Sequence, residues 1–176
     1  ASLNFRYGNV EFNSFESPSK KDYIILRQAL DEDYYIELLE SYGFQPDKSR
    51  YIMENNNKIY KLLSSNLQAL TEECEVYYSE SFKTLKITSP GSIKAGISIS
   101  SDLNLLELDL SFDYVSQEEL KELLNAYRIK KKYYRLKDGN FIDMDNSQIK
   151  DVWNILSGLE ISHKELDKPV IQIENS

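Results

Sequence analysis

Apolar and polar residues alternate with two different periods along this chain, and each change of period marks an element. LNFRYGNVEF alternates loosely and predicts a strand that turns at Gly8-Asn9. ESPSK reads as loop. An apolar run from Tyr23 becomes helical, with Tyr35, Leu38, Leu39 and Tyr42 at i, i+3, i+4 and i+7, and Gly43 is placed to end it. YIM predicts a short strand. Asn55 to Asn57 can cap a second helix whose Ile59, Leu62, Leu63, Leu67 and Leu70 share a face. EVYYS and TLKITS read as strands, followed by a turn at Pro90-Gly91. IKAGISIS places Ile93, Ala95, Ile97 and Ile99 on one side. LLELDLSFD places Leu106, Leu108, Leu110 and Phe112 in, and Glu107, Asp109, Ser111 and Asp113 out. With SDLN between them these two runs predict a hairpin.

Ser116-Gln-Glu-Glu119 has the form of a capping box and opens a helix striped by Leu120, Leu123, Leu124 and Tyr127. YYRL and NFIDM predict two short strands around a tight turn at Asp138-Gly139. Asp145 or Asn146 then caps a last helix carrying Ile149, Val152, Trp153 and Leu156, and PVIQI predicts a closing strand. The class is α+β, of mixed order, with four or so helices and no exact internal repeat. The turn at Pro90-Gly91 divides the chain into two small α+β subdomains, 1–89 and 90–176, although both halves can equally share one sheet.

Composition narrows the chemistry. With 176 residues, 41% of them apolar, the chain can bury a core. No apolar run approaches the 18 or so residues of a membrane span, and the N-terminus lacks the layout of a secretory signal, so no membrane partner is expected. Cys74 is the only cysteine, which fits a reducing cytoplasm. His163 is the only histidine and reads as a surface residue in LEISHKELD. A zinc site or a Ser-His-Asp device lacks its ligands and bases. GSIKAGIS has the two glycines of a phosphate loop, but Ile97 stands where lysine is required and the segment runs into a strand. DGNFIDMDN spaces Asp143 and Asp145 like a calcium loop, yet Gln148 and Asn154 stand where Gly and Glu are needed. The acids of LLELDLSFD and of DEDYYIE read as a solvated strand face and an acidic helix start.

The charge is uneven. Residues 1–127 hold 12 Lys and Arg against 21 Asp and Glu, and residues 128–176 hold 9 against 8. The excess of base lies in RIKKKYYRLKDGNF, where Arg128, Lys130, Lys131, Lys132, Arg135 and Lys137 surround two tyrosines with no acid among them. Two readings are open. Lysine and arginine favour the negative end of a helix, and basic groups beside an aromatic also suit a nucleic-acid surface. Composition favours the helix end.

The segment ELLNAYRIKKKYYRLKDGNFIDMDN resembles the signature of the helicase-associated domain of bacterial Snf-type (Swi/Snf-like) ATPases. ALDEDYYIELLESYGF with YIMENNNKIYKLLSSNLQAL resembles its helical first half, and EVYYSESFKTLKI with GISISSDLNLLELDLSFD its central strands. The likeness spans about Arg27 to Ile173. It implies a non-catalytic module without catalytic residues, cofactor or metal of its own, cut from a larger protein whose two-lobed motor carries the ATP and magnesium site. Its partners would be the motor lobes of the same polypeptide and duplex DNA, met without sequence preference through Lys130 to Lys137. The acidic remainder could act as a brake on the motor. A protein–protein adaptor that never touches nucleic acid is the alternative, and a stand-alone enzyme is disfavoured.

Overall fold

The structure, a computed structural model, describes residues 1–17, 25–100, 105–158 and 171–174. Over these the fold is α+β and divides into two compact units, Ala1–Val76 and Tyr77–Ser176. That division lies earlier than Pro90-Gly91; the short strand before that turn, Ile87–Thr88, pairs with Phe141–Ile142 in the second unit.

In the first unit, β1 (Asn4–Tyr7) and β2 (Val10–Asn13) form a hairpin in which Phe5 faces Phe12. Gly8 takes the positive φ, 59°, that its turn requires. Helix α1 (Ala29–Tyr42) ends at Gly43, at φ 102°, whose N–H donates to Glu40 O. A side chain there would also strike Lys58, with Cδ 2.2 Å from an added Cβ. β3 (Gln45–Asp47) and β4 (Arg50–Ile52) form a second hairpin. β3 is absent from the sequence expectation because Pro46 argues against a strand; in a two-stranded ribbon its missing N–H can face outward.

Asn55 caps α2 (Asn56–Lys61), its Oδ1 accepting from Asn57 N at 3.0 Å and Lys58 N at 3.2 Å. The helix widens into a π-helical segment, Leu62–Asn66, before α3 (Leu67–Glu73), and Leu67 N–H donates to Leu62 O. The expected stripe is thus rephased by the wide turn, and Leu62 and Leu70 are its buried members. Leu39, Tyr51 and Leu70 form the core of this unit, flanked by Leu3, Leu38, Tyr42, Phe44, Cys74 and Val76.

The acidic start of α1 forms as expected, and one of its acids has a second role. Asp31 is exposed, but Glu32 is buried and bonded. Arg27 Nε and Nη2 donate to its carboxylate, and so does Tyr7 OH at 2.7 Å. These bonds, that from Arg27 foremost, hold the Glu32 carboxyl below its ordinary range.

EVYYS is not a strand, and Tyr77 within it is exposed. High β propensity cannot make a strand without a ladder partner. Ser79 instead caps a single helical turn, α4 (Glu80–Lys83), by accepting from Phe82 N. Of TLKITS only β5 (Ile87–Thr88) is strand. The expected hairpin forms as β6 (Ile93–Ser100) and β7 (Leu105–Phe112), antiparallel over eight pairs. Its linking residues lie outside those described. The closing strand is β10 (Ile171–Glu174), and the sheet order is β10-β7-β6. A second sheet, β5-β9-β8, holds β8 (Tyr133–Arg135) antiparallel and β5 parallel to β9 (Phe141–Asp143).

Helices α5 (Gln117–Arg128) and α6 (Ser147–Gly158) supply the rest of the core. Leu108, Leu110 and Phe112 of β7 join Leu120, Leu123 and Leu124 of α5, Ile142 of β9, and Ile149, Val152 and Leu156 of α6. Each such side chain contributes about 1.5–3 kcal/mol by leaving water. Tyr127 and Trp153 pack half-buried against this core, ring centroids 5.5 Å apart.

Candidate nucleic-acid interface

The basic stretch begins where α5 stops. Ile129 is the C-cap, and the next residue, Lys130, takes a left-handed conformation at φ 55°. Lys130 N–H donates to Tyr127 O at 2.9 Å and Lys131 N–H to Ala126 O at 3.0 Å. These two bonds are the Schellman closure, with lysine at the position glycine usually holds. The turn places Lys130, Lys131 and Lys132 together in solvent immediately beyond the negative end of the helix dipole. Among the described residues, none of the three ammonium groups has an ion-pair or hydrogen-bond partner. Arg128 Nη2 is held by Asn125 Oδ1 at 2.8 Å. Glycine relieves left-handed strain at Lys130, so Lys130→Gly is expected to stabilise the chain by about 0.5–1 kcal/mol in a urea melt.

Arg135 and Lys137 lie elsewhere and do different work. The chain turns back along α5, so that Lys137 Nζ reaches Glu118 in its first turn at 2.9 Å. The 12-residue helix sets its two ends about 18 Å apart. The hydrogen bond and charge of Glu118 raise the Lys137 pKa. Arg135 Nε donates to Gly139 O at 3.3 Å, and its guanidinium stands 5.3 Å from the centre of the Phe141 ring. The six basic residues of the sequence therefore fall into an outer cluster, Arg128 to Lys132, and two cations engaged within the β8–β9 turn.

That turn is densely tied. Asp138 accepts from Asn140 N and Nδ2, both at 2.8 Å, and Gly139 takes φ 95°. Asn140 Oδ1 accepts Lys86 N at 3.0 Å, beside β5. Leu136 is buried. Lys137 N–H donates to Glu119 Oε1 at 2.8 Å, while Glu119 Oε2 accepts Ser116 Oγ at 3.0 Å and Ser116 N at 3.5 Å. Ser116 Oγ in turn accepts Glu119 N, which completes the expected capping box. One buried carboxylate thus closes α5 and fixes the hairpin to it. The Lys137 N–H bond, ahead of the Ser116 bonds, holds the Glu119 carboxyl below its ordinary range.

Neither of the two tyrosines within the basic stretch stands free beside its cations. Both are half-buried. Tyr133 meets Phe141 edge to face at 5.3 Å, and Tyr134 OH donates to Glu122 of α5 at 2.7 Å. Burial, then the Glu122 bond, pushes the Tyr134 pKa far up.

Acids border the outer cluster. Asp143 stands opposite Tyr133 in the ladder, and Asp145 is paired with Lys150. Asp143 Oδ1 accepts Asp145 N, and Asn146 Oδ1 accepts Gln148 N at the start of α6, so turn and cap roles account for these residues. GSIKAGIS runs into β6, a strand. Asp113 pairs with Lys94 and Asp109 is exposed; the Glu107 side chain and His163 lie outside those described. Among the described residues no group of His, Cys, Asp or Glu could hold a metal ion, and no helix is long and apolar enough to cross a membrane.

The fold and its surface define an α+β module whose interior polar bonds serve its own turns and whose one concentrated basic feature caps a helix. The chain belongs to the family described as bacterial SNF2 helicase associated, which matches residues 1–176. It is accordingly a non-catalytic accessory region associated with a SNF2-type helicase motor. No curated protein and no solved structure matches it.

Proposed function

We propose that this chain positions or regulates the motor lobes of a bacterial Swi/Snf-like, DNA-dependent ATPase, and that Arg128 with Lys130, Lys131 and Lys132 touches duplex phosphate. ATP and magnesium belong to the motor, and the contact reads no sequence. The observation that carries this reading is the exposed lysine trio at the end of α5, without a counter-ion among the described residues, while Arg135 and Lys137 are engaged internally. Three adjacent ammonium groups suit phosphate as point charges. The exposed positions of α5 are Gln117, Glu118, Lys121, Glu122, Asn125 and Arg128. Gln117 is bonded to Leu110 O and Asn125 to Arg128, and the two glutamates repel a phosphate backbone, so this face is ill suited to reading base edges.

The test is fluorescence anisotropy of the chain against labelled duplex DNA at two salt concentrations. Three or four phosphate contacts predict affinity falling roughly 40–150-fold between about 50 and 200 mM salt, equally for unrelated sequences. No binding at either salt would remove the DNA contact and leave a protein–protein adaptor. The exposed Leu30, Tyr77 and Tyr114 favour that second reading.

A further inference from the structure

Strand β6 is the outer strand of its sheet, and among the described residues nothing pairs with it beyond β7. It is eight residues long and pairs without a bulge from Ile93↔Phe112 to Ser100↔Leu105. Edges of this kind invite another strand, and proteins usually blunt them with proline, a bulge or outward charge. IKAGISIS has no proline and a single charge, Lys94, whose ammonium lies 3.0 Å from Asp113. By register, positions 93, 95 and 97 stand opposite Phe112, Leu110 and Leu108, while Lys94, Gly96 and Ser98 are exposed.

We infer that the open edge of β6 pairs antiparallel with β6 of a second copy of this chain, giving one continuous sheet in the order β10-β7-β6-β6-β7-β10. A two-fold interface must be complementary to itself, and this strand is. Opposed residues of antiparallel strands lie on the same face. A two-fold axis through Gly96 or Ile97 therefore sets odd positions against odd ones, so the apolar positions of the sequence oppose one another across the junction. These are the two residues at the strand centre, so either register keeps nearly the whole strand paired. In one Lys94 stands opposite Ser98 and in the other opposite Ser100, so no like charges meet. The one charge on this strand, Lys94, is already paired with Asp113, so the edge offers a nucleic acid or a charged peptide no unpaired counter-charge.

Light scattering on eluting fractions tests the inference. The mass of the wild-type chain rises with loading concentration from 20.5 kDa towards twice that value. The double variant Gly96→Lys, Ser98→Lys stays at 20.5 kDa throughout, with an unchanged circular dichroism spectrum. It should fold, because a Cβ at Gly96 meets nothing closer than Asp109 Cβ at 3.9 Å, and the two positions face Asp109 and Glu107 across the ladder. In the wild type, deuterium exchange of β6 amides slows as concentration rises. A wild-type chain that stays at 20.5 kDa at every concentration overturns the inference. So does a double variant that dimerises as the wild type does, or a wild-type dimer whose β6 amides exchange independently of concentration.

Discussion

A chain carrying Lys130→Glu, Lys131→Glu and Lys132→Glu loses roughly 100–1,000-fold of its affinity for duplex DNA at low salt, and its salt slope flattens by about three. The size follows from what is changed. Three unpaired cations beyond a helix end become three anions, so attraction gives way to repulsion where the phosphates would lie. The side chains lie in solvent, so the thermal melt should move little. A second variant, Arg135→Gln with Lys137→Gln, supplies the contrast. Those cations already have partners in Gly139, Phe141 and Glu118, and their loss should change DNA affinity only slightly. If both variants weaken binding alike, the basic stretch acts as one diffuse field and the division described above has no functional meaning. If the lysine variant binds like the wild type, the contact is elsewhere.

Replacing Glu119 by alanine should destabilise the second unit by about 2–4 kcal/mol, through loss of the bonds its carboxylate accepts from Ser116 in the capping box and through leaving the Lys137 N–H without its acceptor. For a unit of this size that is roughly 10–20 °C in melting temperature. The effect depends on pH in a definite direction. The folded-state pKa of Glu119 is depressed, so the folded chain binds this proton more weakly than the unfolded chain. The stabilisation is fully present above the unfolded glutamate pKa, about 4.3, and is lost as pH falls through the lower folded value. Wild type and variant should therefore converge in stability as a titration moves into acid. A constant gap across that range would show that packing rather than the carboxylate holds the hairpin to α5.

Features decided within a few residues were legible in the chain. The capping box at Ser116, the glycine end of α1, the Asp138-Gly139 turn and the β6–β7 strand pair each announce themselves locally, and each is present. What escaped depends on partners far along the chain. The Tyr7–Arg27–Glu32 cluster joins a hairpin to a helix start, and nothing in DEDYYIE tells a buried acid from an exposed one. The bond from Lys137 N–H to Glu119 spans 18 residues. EVYYS misled because residue preference cannot report whether a neighbouring strand exists. The candidate interface was half visible. Six basic residues could be counted, but which of them already held a partner depended on the hairpin folding back along α5. The left-handed turn at Lys130 was hidden because lysine is not a residue that signals one.

The pairing of β5 with β9 has a consequence for how the chain comes to be folded. Ile87 meets Phe141, and Leu108 of β7 meets Ile171 of β10, so both sheets of the second unit close only between segments more than fifty residues apart. Such pairings give no stability until the intervening chain has been gathered, and domains built on them fold towards the millisecond-to-second end of the range. During synthesis the β6–β7 hairpin and α5 emerge well before β9 and β10. Until those strands arrive, β7 lacks one of its neighbours and β5 lacks its only one. Ribosome-bound chains halted before Phe141 should therefore be cleaved readily by protease in the second unit, and chains extended past Glu174 should resist.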